Sequence, residues 1–392
     1  MMKQAIILAA GEGQRLRPFT VNRPKTMLAV ADKPIVRYVI EALSQNGIRN
    51  IVLVVGYRKE QIYDAIGSGE QLGVDITYVT QEKQLGTAHA LAQAVDVAED
   101  EFLVLPGDNL IVADTIARFI DEKPGALLVK RVADPSRYGV VAVQQGIVQG
   151  IEEKPGEARS NLVNTGVYAF NKEIFNYTGS VLDIPEVLNN MINEGHEVNA
   201  VETDGSWLDV VYPWDILNLN EEVLDHVEPA VGGTVESNVF LRGQITVGKD
   251  SVIRSNSYLS GPVIIGSGCH IGPNVCILPG TSIGDNVVIS SFTEIKNSVI
   301  GNDVAIGPGC IIEDSVIDEG CAIKGHLTAC SGEGEVKVNG ESHSVSYGVM
   351  MGEDCNVSGN VVIQPGTIVG NYCQIHAMKL VGGKVPDRSL VY

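Results

Sequence analysis

The first part of the chain alternates continuous apolar runs with segments whose apolar residues recur at helical spacing. Ala5–Ala10 and Ile51–Val55 are apolar throughout, which is typical of strands buried on both faces of a sheet. Between them, Ile35–Asn46 has apolar residues at helical spacing and stops at Gly47. The same criteria predict strands at Ile76–Val79 and Phe102–Leu105, and helices at Glu60–Ile66 and Ala88–Val97. This alternation predicts an α/β fold with a mostly parallel sheet and helices on both faces.

Later in the chain the apolar residues follow a period of six. An aliphatic residue recurs at every sixth position from Ile265 to Ile295, often with a glycine after it, and the spacing returns from Met351 to Val381. A six-residue repeat with small turn residues is typical of a parallel β-helix. In that fold three hexapeptides form one coil, and the aliphatic side chains stack inward. The alternative, a β-sandwich of short strands, would not keep a strict period of six.

These two patterns divide the chain. Its 392 residues exceed the usual length of one domain. We predict the α/β domain over residues 1–227 and the β-helix over residues 228–392. The stretch near 325–348 breaks the six-residue register, so we predict a looped insertion there.

Charge and cysteine content narrow the range of partners and compartments. The formal net charge is −20, and nucleic-acid binding requires clustered lysine and arginine. The seven cysteines are widely spaced and form no C-x-x-C pair, which indicates reduced core residues of an intracellular protein. The first apolar run is followed at once by glycines, and no run reaches the ~18 apolar residues of a membrane span. We therefore predict a cytoplasmic protein that binds neither nucleic acid nor membranes.

A glycine-rich turn directly follows the first predicted strand. Residues 8–18 read Leu-Ala-Ala-Gly-Glu-Gly-Gln-Arg-Leu-Arg-Pro. Backbone N–H groups near Gly11 and Gly13 can approach a triphosphate, and Arg15 can add a fixed positive charge. By itself the turn fits a tight strand-to-helix connection equally well, because it lacks both the G-x-G-x-x-G spacing and the P-loop ending. Residues 23–28, Arg-Pro-Lys-Thr-Met-Leu, follow it. Together the two motifs resemble the sugar-1-phosphate nucleotidylyltransferase family, and the resemblance covers essentially the whole first domain.

This resemblance implies a Rossmann-like nucleotidyltransferase domain that joins a nucleoside triphosphate to a sugar 1-phosphate and releases pyrophosphate. It implies that Arg15 and Lys25 are catalytic and that Asp108 and Asp209 hold Mg²⁺. The nucleotide-binding residues that it implies are Leu8, Ala10, Gly11, Gly13, Gln81, Gly86 and Thr87. The sugar-phosphate-binding residues that it implies are Gly139, Glu153, Lys154 and Asn164.

Nucleotidyl transfer requires residues of these types. The sugar phosphate attacks the α-phosphorus of the nucleotide, so two anionic groups must approach each other and the barrier is largely electrostatic and positional. A sugar phosphate is already ionised near neutral pH, so no general base is needed. Asp108 follows a buried strand, where ligand-binding residues of α/β sheets usually lie, although it could also cap a loop. For Lys154 the alternative is a solvated turn, and we interpret His89 and Trp214 as packing residues.

The segment Gln-Leu-Gly-Thr-Ala-His at residues 84–89 is most similar to the N-acetylglucosamine-1-phosphate uridylyltransferase branch of the family. The glucose-1-phosphate thymidylyltransferase branch is close to it. Uracil and thymine differ by one methyl group, which a pocket distinguishes by only ~1–3 kcal/mol. The favoured nucleotide is therefore UTP with dTTP as the alternative, and the sugar is N-acetylglucosamine 1-phosphate or glucose 1-phosphate.

Fusion of such a domain to a hexapeptide-repeat β-helix resembles the archaeal-type bifunctional enzymes. In these a left-handed β-helix also acetylates glucosamine 1-phosphate with acetyl-CoA and forms trimers. This chain lacks their acetyl-transfer segment, and residues 328–332 read Thr-Ala-Cys-Ser-Gly where those enzymes have Thr-Ala-Asn-Leu-Arg. His326 and His343 remain, but neither stands in the matching context. We therefore favour a β-helix that mediates homo-oligomerisation, as a trimer or a multiple of it, or regulation, over one that binds acetyl-CoA.

Overall fold

The computed structural model describes residues 2–179 and 181–392, which form two compact units. The first unit comprises the chain up to Glu12, Asn22–Met27 and Pro34–Asp209. The second unit comprises Gly13–Val21, Leu28–Lys33 and Val210–Tyr392. The units therefore divide after Asp209, not at the predicted position between residues 227 and 228.

Both strands and helices occur up to residue 224. The strands are β1 (Gln4–Ala9), β2 (Ala29–Val30), β3 (Lys33–Pro34), β4 (Asn50–Val55), β5 (Asp75–Thr80), β6 (Glu101–Pro106), β7 (Asn109–Ile111), β8 (Ala126–Arg131), β9 (Gly139–Gln144), β10 (Ile147–Glu153), β11 (Leu162–Asn171), β12 (Asn199–Glu202) and β13 (Trp207–Asp209). The α-helices are α1 (Ile35–Gln45), α2 (Lys59–Ile66), α3 (Thr87–Ala92), α4 (Ala113–Ala117), α5 (Ile184–Asn193) and α6 (Asp215–Leu224). Short 3₁₀ helices cover Gln14–Leu16, Lys25–Met27, Glu70–Leu72, Pro135–Arg137 and Lys172–Asn176.

The first unit is built on a nine-stranded sheet in the order β5-β4-β1-β6-β11-β8-β12-β10-β9. Alternate residues of β1 enter two different cores. Ile7 packs in the core that contains residues of α1, α2 and α4, whereas Ile6 packs in the core that contains residues of α3 and α5. Helices therefore cover both faces, and the predicted fold class is confirmed.

The sheet is more mixed than the predicted, mostly parallel one. β5, β4, β1 and β6 are parallel, as are β12 and β8. β11 is antiparallel to β6 and β8, and β10 is antiparallel to β9 and β12. One reason is that β9 and β10 are joined by a turn of two residues, which requires antiparallel pairing, whereas parallel neighbours need a longer crossover connection.

The second unit contains a left-handed parallel β-helix with three faces. The strands of the first face are Ala230–Val231, Ile245–Val247, Val263–Ile265, Thr281–Ile283, Val299–Ile300, Val316–Ile317, Val349–Met351, Thr367–Val369 and Lys384–Val385. Those of the second are Thr234–Val235, Val252–Ile253, His270–Ile271, Val288–Ile289, Ala305–Ile306, Ala322–Ile323, Asn356–Val357, Gln374–Ile375 and Leu390–Val391. Those of the third are Phe240–Arg242, Tyr258–Ser260, Cys276–Ile277, Glu294–Lys296, Ile311–Glu313, Thr328–Ala329, Val362–Ile363 and Leu380–Val381.

The predicted inward positions of the β-helix are buried in a single core. The repeat also begins earlier and runs further than predicted. Ile253 and Leu259 precede Ile265 in the same register, and Ile300 and Ile317 remain in the core although each follows the previous inward residue by five positions. A strict period of six misses these shorter coils.

The insertion is narrower than the predicted 325–348. Thr328–Ala329 still pairs as a strand of the third face, so the coil continues into the predicted loop. The inserted part is an antiparallel hairpin of Glu333–Val338 with Glu341–Ser346. Val349–Met351 then resumes pairing with Val316–Ile317.

Two buried asparagines join the short N-terminal segments of the second unit to its β-helix. Asn371 Nδ2 donates to the carbonyl of Pro18 (3.1 Å), across 353 positions of the chain. Asn220, on α6, accepts a hydrogen bond at Oδ1 from the N–H of Ala31 (3.2 Å) and donates from Nδ2 to the carbonyl of Gly280 (2.8 Å). These contacts explain why α6, predicted as part of the first domain, belongs to the second unit.

The cysteines agree with their predicted structural role. All seven are free thiols; five are buried, and Cys276 and Cys330 are half-buried. Within the described residues, no helix combines the length and apolar character that crossing a membrane requires.

Candidate active site

The first unit has a cavity of about 740 Å³ beyond the carboxyl ends of β1, β5 and β6. Leu8, Ala10 and Gly11 line it from the end of β1, and Gln81 from the residue after β5. Asp108 follows β6. Ligands of α/β sheets usually bind at this end of the strands.

Lys25 forms ion pairs with two carboxylates in this cavity. Its Nζ lies 2.6 Å from Asp108 Oδ2 and 3.2 Å from Asp209 Oδ1. Burial lowers the pKa of Lys25, but the negative charges and hydrogen bonds of the two aspartates more than offset this and raise the pKa above its ordinary value of 10.5. Lys25 is therefore a fixed positive charge at neutral pH.

Pairing of β7 with β13 brings the two aspartates together. Asp209 is the register partner of Asn109, the residue after Asp108. With its amide oriented to satisfy both neighbours, Asn109 donates to Asp108 Oδ1 (2.9 Å) and accepts from Trp207 Nε1 (2.9 Å). Trp207 Nε1 also lies 3.0 Å from the carbonyl oxygen of Thr165. Asp108 is thus oriented by a side chain whose own position depends on a buried tryptophan.

The predicted base-reading residues form one wall of the cavity. Gln81 is buried, and its Nε2 lies 3.1 Å from the carbonyl oxygen of Gly86 and 2.8 Å from His89 Nδ1. His89 therefore packs beside the site, as predicted. The Thr87 hydroxyl is engaged by residues of another helix, because it donates to Asp183 Oδ1 (3.2 Å) and accepts from the N–H of Ile184 (2.9 Å).

The predicted sugar-phosphate residues form another wall. Gly139 and Glu153 are register partners at the ends of β9 and β10. A Cβ on Gly139 would lie 2.7 Å from Glu153 Oε1, so a side chain there would displace the carboxylate. Lys154 has a positive φ of 45°, and its N–H donates to the carbonyl of Tyr138 (3.1 Å). Asn164 donates to the hydroxyl of Tyr168 (2.8 Å) at an irregularity in β11.

Burial and neighbouring charges on this wall shift the pKa of Glu153. Burial and the negative charge of Asp183 raise the pKa of Glu153 above its ordinary value of 4.5, and the positive charge of Lys154 opposes them. Carboxylates outnumber lysines among the lining residues of the described chain. The cavity therefore favours ligands that bring a cation, or that present hydroxyl groups, over bare anions.

Most of the predicted site residues line this cavity, but two do not. Those that line it are Leu8, Ala10, Gly11, Lys25, Gln81, Gly86, Thr87, Asp108, Gly139, Glu153, Lys154, Asn164 and Asp209. Gly13 and Arg15 are not among the lining residues; they lie in Gly13–Val21 of the second unit, where Gly13 precedes the 3₁₀ helix Gln14–Leu16.

Sequence reasoning missed several lining residues. Gln84, Tyr168, Asp183 and Pro185 also face the cavity. Asp183 could have been noticed, because Asp-Ile-Pro is a pattern typical of a helix start. Tyr168 carried no comparable signal, since its position depends on the irregularity in β11.

Known proteins with similar sequences cover nearly the whole chain. The nucleotidyl transferase family matches residues 4–226. The bifunctional protein GlmU of Methanocaldococcus jannaschii is 34% identical over 99% of this chain and 97% of its own length. A glucose-1-phosphate thymidylyltransferase of Streptomyces antibioticus is 35% identical over 83% of this chain and 95% of its own length.

The chain belongs to the sugar-1-phosphate nucleotidylyltransferase family. As a member, it transfers a nucleotidyl group to a sugar 1-phosphate in nucleotide-sugar biosynthesis.

Three further similarities extend this family assignment. A bifunctional sugar-1-phosphate nucleotidylyltransferase/acetyltransferase of Sulfurisphaera tokodaii is 33% identical over 99% of this chain and 98% of its own length. A family described as the GMPPB C-terminal domain matches residues 259–345. Among solved structures, one described as a glucose-1-phosphate thymidylyltransferase from Bacillus anthracis superposes with a TM-score of 0.53 at 30% identity, covering 58% of this chain and 97% of that one.

Proposed function

We propose that the cavity of the first unit transfers a uridylyl group from UTP to N-acetylglucosamine 1-phosphate, with Mg²⁺ as cofactor. The observation that carries this proposal is the bridging of Asp108 and Asp209 by Lys25 in a cavity that Lys154 and Glu153 also line. The choice of UTP rests on the segment at residues 84–89. The pair dTTP and glucose 1-phosphate is the alternative, which the relative from Streptomyces antibioticus favours.

The two aspartates suit a magnesium ion. Mg²⁺ is usually bound in proteins through one or two carboxylates and completes its coordination with phosphate oxygens and water. Asp108 and Asp209 are such a pair, since Lys25 Nζ lies within 3.2 Å of an oxygen of each. They would hold the ion, which supplies neutralising charge for the triphosphate when bound.

The remaining steps are assigned to the protein's own side chains. An oxygen of the sugar phosphate attacks the α-phosphorus, the bond from that phosphorus to the bridging oxygen breaks, and pyrophosphate leaves with the electron pair. Lys25 would stabilise the charge that develops on the leaving pyrophosphate. Lys154 would hold the incoming sugar phosphate, and Glu153 would accept hydrogen bonds from sugar hydroxyls.

The proposal is tested by measuring pyrophosphate release with Mg²⁺ for UTP or dTTP paired with each of three sugars: N-acetylglucosamine 1-phosphate, glucose 1-phosphate and glucosamine 1-phosphate. We expect the highest kcat/KM for UTP with N-acetylglucosamine 1-phosphate. A higher kcat/KM for another pair would replace the proposed substrates, and no pyrophosphate release with any pair would refute the proposal.

In the Asp108→Ala variant we expect turnover to fall by at least about 10²-fold with the fold intact. Near-normal rates at saturating Mg²⁺ would refute the metal assignment.

Acetyl transfer by the β-helix is a second candidate. It is favoured by one observation, the similarity of this chain over 99% of its length to a relative described as a nucleotidylyltransferase/acetyltransferase. In the structure His326 is an exposed residue at a corner of a coil, and His343 packs against the rings of Tyr212 and Trp214 at 4.5 and 5.7 Å. Release of free coenzyme A from acetyl-CoA and glucosamine 1-phosphate would establish this activity, and its absence would leave the β-helix as a scaffold.

A further inference from the structure

Helix α5 contacts both substrate-binding walls of the cavity. The residues at its start, Asp183, Ile184 and Pro185, line the cavity themselves. Farther along, Asn189 reaches the strand that ends at Glu153. The helix therefore links the wall predicted to bind the nucleotide with the wall predicted to bind the sugar phosphate.

At its first turn α5 interlocks with the start of α3. Asp183 Oδ1 accepts hydrogen bonds from the backbone N–H (3.1 Å) and the hydroxyl (3.2 Å) of Thr87. The Thr87 hydroxyl in turn accepts from the N–H of Ile184 (2.9 Å). Each helix thus supplies a side chain that caps the other, and both satisfy N–H groups that a helix start leaves unpaired.

The interlock also involves the backbone of Gly86 and Leu182. The carbonyl of Leu182 accepts from the N–H of Ala88 (2.7 Å), and Gly86 has a φ of +135°. A Cβ at Gly86 would overlap that carbonyl oxygen. The glycine that faces the cavity therefore owes its conformation to the close approach of the segment that begins α5.

Along the same helix, Asn189 fixes β10. Its Oδ1 accepts from the N–H of Ile151 (2.9 Å), and its Nδ2 donates to the carbonyl of Ile151 (2.8 Å). These bonds follow the irregularity between Val148 and Gly150, where pairing with β9 shifts. Ile151 remains the register partner of Val141 in β9, whereas β10 pairs with β12 only at Ile147. The Asn189 amide therefore holds β10 beyond the end of its pairing with β12, two residues before Glu153.

We propose that α5 sets the distance between the two substrates. In this proposal Asp183 positions the nucleotide segment at Gly86 and Thr87, and Asn189 positions β10 with its terminal Glu153. Both are positioning residues rather than catalytic ones. The inference rests on the proposed function, because in-line attack requires both phosphates to be held in one geometry, and displacement by about 1 Å can cost 10²-fold in rate.

Steady-state kinetics of two alanine variants of the full chain test the proposal. Asp183→Ala should raise the KM for the nucleotide about tenfold and leave the KM for the sugar phosphate near its original value, because a charged hydrogen bond to the nucleotide segment is lost. Asn189→Ala should raise the KM for the sugar phosphate about tenfold and leave the KM for the nucleotide near its original value. Both should lower kcat. Asp183→Asn keeps an oxygen acceptor for Thr87 and should recover most of the loss.

Two further variants separate positioning from general destabilisation. Asn193→Ala removes an exposed amide at the end of the same helix and should change neither KM. The double variant Asp183→Ala/Thr87→Val should lose less than the sum of the two single variants, because each of them removes the hydrogen bond between the Thr87 hydroxyl and Asp183. The proposal would be overturned if Asp183→Ala and Asn189→Ala left the KM values unchanged. It would also be overturned if each of these two variants raised the KM for the nucleotide and the KM for the sugar phosphate equally.

Hydrogen exchange distinguishes failure of this inference from failure of the proposed function. If the wild type turns over none of the tested pairs, the proposed function fails, but the contacts remain measurable. Backbone exchange at residues 86–89 should then quicken in Asp183→Ala, and exchange at residues 150–153 should quicken in Asn189→Ala. Unchanged exchange at both segments would overturn the positioning role.

Discussion

Lys25 lies between two carboxylates that come from distant parts of the chain. Asp209 is 184 positions away, yet its Oδ1 is 3.2 Å from the lysine Nζ. The raised pKa of Lys25 means that its stabilising contribution is fully present below the ordinary value of 10.5, and is lost only as the pH rises through the higher folded value. At neutral pH the ion pairs therefore contribute fully.

We predict that Lys25→Met lowers the free energy of unfolding of the first unit by about 1–3 kcal/mol at neutral pH, because two carboxylates then face each other without a cation. Denaturant unfolding of the variant and of the wild type at neutral pH measures the difference in free energy of unfolding.

Mg²⁺ is the control for this variant. If Asp108 and Asp209 are its ligands, the ion should raise the melting temperature of Lys25→Met more than that of the wild type, in which the ammonium competes for the same oxygens. An equal response of both proteins would argue against a shared magnesium site.

For individual residues, the sequence predicted which residue types form the site better than it predicted which neighbours those residues contact. Lys25, Asp108 and Asp209 were expected in one site, and the structure brings them together. The family resemblance implies that Thr87 binds the nucleotide, and the structure adds that its hydroxyl contacts Asp183 and Ile184. A motif does not reveal which neighbours will satisfy a hydroxyl, because those neighbours are close only after folding.

At the scale of elements, α6 depends on one buried amide. Asn220 is fully buried, accepts from the N–H of Ala31 and the hydroxyl of Ser282, and donates to the carbonyl of Gly280. A buried donor or acceptor that loses its partner costs the desolvation of that group.

Asn220→Ala should therefore lower the stability of the second unit by about 2–4 kcal/mol, because it leaves buried polar groups without partners. Asn218→Ala, at an exposed position of the same helix, should change it by less than about 0.5 kcal/mol. Thermal unfolding of the two variants compares them directly. Equal melting temperatures would show that the amide contributes nothing to the packing of α6.

The elements also show the limits of periodicity. Continuous apolar runs located β1, β4 and β6 correctly to within one or two residues. The six-residue spacing located the β-helix core but made the insertion wider than the hairpin, because Thr328–Ala329 still belongs to a coil. A period is a local property, whereas the coil that a residue joins depends on the pairing of strands from other coils.

For the whole molecule we propose a homotrimer, or a multiple of one, assembled through the β-helix. The outward column of the third face contains the exposed apolar residues Phe240, Tyr258, Ile311, Val362 and Leu380, with Glu294 and Thr328 on either side of Ile311. Exposed apolar surface of this kind commonly marks an interface between chains.

Light scattering of the wild type should give about three times the mass of one chain, 41.8 kDa, or a multiple of that trimer mass. Ile311→Lys combined with Val362→Lys should yield monomers, because each buries a charge in the proposed interface. Val288→Lys replaces an exposed residue of the second face and should leave the mass unchanged. A monomeric wild type would contradict the proposal.

The sequence by itself determined the two architectures and the chemistry of the site. Alternating apolar runs and a six-residue repeat can each bury their apolar residues in only one kind of fold, and the motifs around Gly11, Lys25 and Asp108 carry the functional groups that nucleotidyl transfer needs. Only the tertiary structure decided the mixed sheet, the membership of α6 in the second unit, and the hydrogen bonds of Asp183 and Asn189. The physical reason is the separation of the interacting residues along the sequence. Periodicity reflects neighbours a few residues apart, whereas these features depend on hydrogen bonds between residues tens to hundreds of positions apart.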